Sequence, residues 1–266
     1  PNVFPGATVG PSWEPAAKGF SFFAYPETLR GGWFVSGGNV SGGPDAEIVS
    51  GTSPGLGPQV MIYNKNGKLL SNFFVYAKHL RGGVRVAVGD VIANSDGYDE
   101  IVVISGAGGR PHVRIFNGQG ELQHPGFFAL DGRFLGGAWL AVGNVDGGAE
   151  DEIIVSAAKG GGPHVTVHRK DGSIVGNFMA YDSSFRGGVK VAAVDVEGDG
   201  IDEIVTVPEY GSQPARVFER DGTMISEFYP FGSSFQGGMS VAGGNTDRKL
   251  GDEIIIGAGP GGGPLV

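Results

Sequence analysis

The sequence predicts an all-β fold, a five-bladed β-propeller built from four-stranded antiparallel blades, and three observations lead there. Glycine supplies 51 of the 266 residues, far above its usual share of about 7%, and it is interleaved with Val, Ile and Phe instead of being gathered into one tract. This reads as many short strands joined by tight turns. The pair Gly-Gly recurs in one context at Gly31, Gly82, Gly136, Gly187 and Gly237, in steps of 51, 54, 51 and 50 residues. No segment carries a helical period. A unit of roughly 40 to 50 residues with four short strands has the size of a propeller blade.

Each unit has the same order of elements, clearest in the second, where strands are expected at about 84–91, 100–105, 112–116 and 121–130. The first strand follows Gly-Gly and ends in an acidic turn. The second is an apolar run introduced by Glu, as in "EIVV" or "EIII". A Gly-rich turn ending in Pro leads to the third. The third and fourth are joined by "NKNG", "NGQG", "RKDG" or "ERDG", the Asn-Gly or Asp-Gly signal of a two-residue hairpin. The fourth carries an aromatic block such as "FFVY".

Blades are therefore expected at about 31–76, 82–130, 136–181, 187–231 and 237–266, the last completed by residues 7–25, which align without gaps on 163–181. Closing the ring in that way removes exposed sheet edges. The whole chain then forms a single propeller domain.

Composition excludes several functions. A formal charge of −9 and a pI near 5.0 repel a phosphate backbone, so nucleic acid is not an expected partner. No window reaches the roughly 18 apolar residues of a membrane span, and "PNVFPGATVG" lacks the features of a signal peptide. With no cysteine in the chain, disulfides, thiol nucleophiles and Cys-based zinc sites are excluded.

The acidic turns are the first candidate sites. In "DVEGDGIDE" the carboxylates of Asp195, Glu197 and Asp199 alternate along a tight turn, Gly200 permits the bend, the Ile201 carbonyl comes next and Glu203 closes the set. Oxygen ligands at such spacing suit Ca²⁺. The residue twelve places on is Thr206 in a strand, so the site is strand-loop-strand and not an EF-hand. The other loops grade downward. The second keeps Asp90, Asn94, Asp96 and Glu100 but is two residues longer, and the third keeps Asn144, Asp146 and Glu152 with Gly148 between them. The first and fifth read as plain turns, since Asp, Asn and Gly also cap their own backbone and Lys249 of the fifth would repel a cation.

"DVEGDGIDEIV" and "DEIIIGAGPGGGP" resemble the FG-GAP or VCBS repeats of integrin-alpha-type β-propellers, over roughly residues 7 to 266. That resemblance implies structural Ca²⁺ at Asp195, Glu197, Asp199, Ile201 and Glu203.

On the opposite face, the Gly-rich turns and the segments before Gly-Gly collect Arg110, His112, Lys159, His164 and Tyr210 as ligand candidates. The aromatic blocks, in phase with the repeat, are read as packing between blades. "GTSPG" at 51–55 and "GAGPGG" at 257–262 match catalytic and nucleotide-binding patterns but lack the helix these need. No paired acid and base stands out. The expectation is a non-enzymatic, calcium-stabilised binding or adhesion module of a larger extracellular or cell-surface protein, with a protein or glycan ligand. Alternatives are a lectin with repeated pockets and a propeller enzyme acting on a polysaccharide.

Overall fold

The computed structural model describes residues 22–25, 32–93 and 97–263. The first blade comprises β1 (Phe34–Gly38), β2 (Glu47–Gly51), β3 (Gln59–Tyr63) and β4 (Leu69–Phe74), and the second β5 (Val84–Gly89), β6 (Glu100–Ser105), β7 (His112–Phe116) and β8 (Leu122–Phe128). The third is β9 (Ala138–Gly143), β10 (Glu152–Ala157), β11 (His164–His168) and β12 (Ile174–Met179), and the fourth β13 (Val189–Val194), β14 (Glu203–Pro208), β15 (Ala215–Phe218) and β16 (Met224–Phe228). Strands in each blade pair antiparallel in chain order. There is no helix among the described residues, and hence none long and apolar enough to cross a membrane.

The propeller is four-bladed, not five-bladed. The fifth Gly-Gly leads only into β17 (Met239–Gly244) and β18 (Glu253–Ala258), a two-stranded sheet packed on β13. Each Gly-Gly announces one inner strand, so a count of these pairs overcounts blades. The expected contribution of 7–25 to a last blade lies outside the described residues, apart from 22–25. There the Phe22 ring lies 5.0 Å from that of Tyr63, and the Tyr25 ring stacks on Trp33 at 3.7 Å.

The cores lie between blades. Val49, Val60 and Ile62 of the first blade meet Val84, Val86, Ile101 and Val103 of the second. Ile104 and Ile115 meet Leu140, Ile153 and Val155 across the next seam, and Ile154, Val165 and Val167 meet Val189, Val191 and Ile204 across the third. The aromatic blocks fasten these seams, as expected. Phe73 packs on Phe116 at 5.4 Å, Phe127 on His168 at 5.0 Å and Phe178 on Phe218 at 4.8 Å. Tyr76 donates its hydroxyl proton to the His112 carbonyl, and Tyr181 donates to that of Pro214 at 2.8 Å. Each tyrosine thereby ties an outer strand to the following blade.

The hairpins between third and fourth strands are longer than the two-residue kind. Gly67 and Gly172 donate to the carbonyls of Asn64 and Arg169 at 2.9 Å, and the pairing register shifts at Ile62/Tyr63 and Val167/His168. The glycine alone has a positive φ, +72° at Gly67 and +85° at Gly172, whereas a type I′ turn needs two such residues. A type I turn followed by a glycine bulge satisfies the same Asn-Gly signal.

Candidate functional site

The acidic loops form one end of the propeller, and their side chains serve the loop backbone. Asp195 accepts hydrogen bonds from the amides of Gly198 (2.6 Å), Asp199 (3.1 Å) and Gly200 (2.9 Å), while Asp199 accepts one from Ile201 at 2.9 Å. The Glu opening each second strand reaches back into the same loop. Glu203 accepts from the Val196 amide at 2.9 Å, Glu152 from Val145 at 3.2 Å, Glu100 from Ile92 at 3.0 Å and Glu47 from Val40 at 3.1 Å. These glutamates are at most 5% exposed, which explains a charged residue at the head of an apolar strand. Burial, with Glu197 and Asp195 nearby, pushes the Glu203 carboxyl up to about 7.

In the third loop, Asn144 Oδ1 accepts from Gly147 and Asp146 from Gly148, and Arg169 pairs with Asp146 at 2.9 Å. Arginine supplies the positive charge that the sequence reading assigned to a cation. In the second loop Asn94 and Asp96 lie outside the described residues. Among the described residues, no three acidic or histidine side chains converge as a metal site requires.

The Gly-Gly end carries different chemistry. Between the first two blades a groove of about 360 Å³ is lined by Tyr76, Leu80, Arg110, His112, Phe128 and Leu135, among others. The sequence candidates Arg110 and His112 therefore meet. The His112 ring lies 4.9 Å from Phe128, and burial and Arg114 lower its pKa. Phe128 and Leu135 are each 52% exposed and give the groove an apolar wall. Lys159 and Tyr210 also meet, the ammonium 4.5 Å from the ring. His164 stands apart, bonded to Asn177.

The residues that sequence reasoning missed are on the axis. The residue two places after each Gly-Gly lies at one level of the inner strands, in order Phe34, Arg85, Trp139, Lys190 and Ser240. The Phe34 and Trp139 rings meet edge to face at 5.6 Å. The Arg85 guanidinium lies 3.8 Å from the Trp139 ring and 5.3 Å from that of Phe34, and Lys190 Nζ lies 4.9 Å from Trp139. Arg85 Nη1 donates to the Ala138 carbonyl at 2.7 Å, and Lys190 donates to Ser240 Oγ at 2.9 Å. Burial lowers Arg85 to about 10. The available signal was a cation or aromatic among valines and small residues on these strands, but it differs from blade to blade and is lost when only repeated features are sought.

No protein-family model and no curated protein matches the chain. Among solved structures it is similar to the rhamnogalacturonan lyase YesW, at a TM-score of 0.52 and 16% identity, covering 85% of this chain and 46% of that one. It is also similar to the exotype rhamnogalacturonan lyase YesX, at a TM-score of 0.51 and 16% identity, covering 85% and 44% respectively. The chain thus spans less than half the length of either lyase. At this identity the likeness is one of fold, and that fold is a β-propeller.

Proposed function

We propose that this propeller recognises a polysaccharide, with the groove between the first and second blades as its contact. The observation that carries this reading is the pairing of an exposed apolar wall, Phe128 and Leu135, with the polar groups of Arg110 and His112 in one concavity. Sugar rings present C–H faces to aromatic surfaces and hydroxyls to fixed donors, and a groove of mixed character serves both. Two propellers of similar fold are named as lyases of rhamnogalacturonan, which makes that polymer the first probe. The protein-adhesion reading has no comparable support.

Affinity electrophoresis in rhamnogalacturonan is expected to retard the protein. Phe128→Ala should weaken binding by about tenfold, the equivalent of about 1.4 kcal/mol, with melting temperature unchanged because the side chain is half exposed. Absence of retardation by this and other polysaccharides would defeat the reading. Steady shortening of the polymer during incubation would show that recognition serves cleavage, the enzymatic alternative.

We also propose Ca²⁺ for the fourth loop, on the alternation of Asp195, Glu197 and Asp199 along its turn, although these side chains do not converge in the arrangement described. As arranged, Asp195 and Asp199 are held by backbone amides, so binding requires the loop to turn these oxygens inward. Ca²⁺ added after EDTA treatment is expected to raise the melting temperature, and Asp199→Ala to reduce the rise. An identical melting curve with and without Ca²⁺ would remove calcium from this loop.

A further inference from the structure

The axial cluster has a feature that folding alone does not account for. Arg85 is 8% exposed, and among the described residues no carboxylate lies within ion-pair distance of it. Among the described residues its one hydrogen bond goes to the backbone carbonyl of Ala138. Its Nε–H and the indole Nε1–H of Trp139 are both buried and meet no acceptor. A buried charge without an ionic partner and a buried donor without an acceptor each cost stability.

The nearest acid does not resolve this. Glu209 acts electrostatically on both Arg85 and Lys190, yet its Oε2 accepts the Lys159 amide at 2.8 Å and pairs with neither. Two cations thus bear on one indole, within a chain of net charge −9. The local sign is opposite to that of the molecule, which concentrates anions at this point. The aromatic rings exclude water on several sides and strengthen any charge interaction made there.

We propose that the propeller axis at the Gly-Gly end is an anion site that receives a carboxylate, held by Arg85 and Lys190 against Trp139. A guanidinium edge matches the two oxygens of a carboxylate, and Lys190, half-buried beside Ser240, guards the approach. The site is separate from the groove of the first two blades and does not depend on it. The ligand class is a sugar or other small molecule bearing a carboxylate.

The test is a titration with galacturonate, with galactose as its neutral counterpart and sulfate as an anion of different shape. Trp139 lies in the site, so galacturonate is expected to change the tryptophan fluorescence saturably, and Trp139→Phe is expected to lose that change while calorimetry still detects binding. Arg85→Met and Lys190→Gln should each weaken binding by at least about tenfold. Arg85→Met replaces a buried charge by an apolar chain of similar length, a change often neutral or stabilising; unchanged or raised stability together with lost binding is the signature of a residue kept for its ligand. Lys190→Gln, at a half-buried position, gives the same answer if Arg85→Met fails to fold.

Equal response to galactose, sulfate binding as tight as galacturonate, or variants that bind as the parent does would each overturn the proposal. Loss of polysaccharide retardation with galacturonate binding intact would refute the groove reading alone.

Discussion

Gly188→Ala is expected to lower stability by about 3 kcal/mol. Its φ is +81°, where a side chain is strained, and a Cβ there would stand 2.5 Å from the Lys159 amide and 3.0 Å from the Ala158 carbonyl carbon. Those atoms belong to the Gly-rich turn of the preceding blade, so the substitution pushes two blades apart instead of filling a gap. For a protein of this size the loss corresponds to a fall in melting temperature of roughly 6 to 12 °C. Gly160→Ala is the control. Its φ of +94° is equally unfavourable, but nothing lies within 4 Å of the added carbon, and the expected loss is about 1 kcal/mol. Equal losses from the two would mean that the glycine spares backbone strain only and that the seam has room.

Glu152→Ala is expected to lower stability by about 2 kcal/mol, because the buried Val145 amide loses its acceptor. Glu152→Gln keeps an acceptor in place and should recover most of that loss. The acid also makes stability depend on pH. Burial, with Asp146 close by, pushes Glu152 up from an ordinary 4.5 to about 7. The folded state therefore holds its proton more tightly than the unfolded state. The resulting contribution is complete below about 4.5 and is lost as pH rises toward 7. In calcium-free buffer, denaturant melts of the parent should become less stable over this interval, and Glu152→Gln should flatten part of the slope. A parent whose stability rises steadily across the interval would show that the carboxylate is not held as described.

The strand pattern was legible because the repeat states it several times. The expected strands 100–105 and 112–116 are β6 and β7, and the fourth strand, expected over 121–130, is observed as Leu122–Phe128. The count of blades was less legible. Gly-Gly marks where an inner strand passes the turn of its own blade and that of the one before, a local requirement met at β17 whether or not four strands follow. Carboxylate spacing was similarly ambiguous. Alternating acids suit a divalent ion and suit backbone capping equally, and only the structure shows Asp195 bonded to three amides. The groove could be anticipated in part, since Arg110 and His112 flank one turn. The axial cluster could not be found by looking for sameness, because Arg85, Trp139 and Lys190 hold one place in the repeat with three different chemistries. Repetition conveys architecture, and departures from it mark the candidate ligand site.

The placement of the cores between sheets has a consequence for how the molecule comes apart. A blade taken alone has no interior: both of its faces are apolar and each is completed by a neighbour. Cohesion is therefore a property of adjacent pairs, and opening one seam strips support from the sheet on either side of it. At the end of this series stands the β17–β18 sheet, where Ile254 and Ile255 remain half-buried and Leu250 is 84% exposed. Loss of order begins where a sheet is braced on one side, so amide exchange should be fastest there and slowest in β6 and β10, which are enclosed on both. Among the described strands the molecule behaves as a zipper with two ends, of which the two-stranded one is the looser.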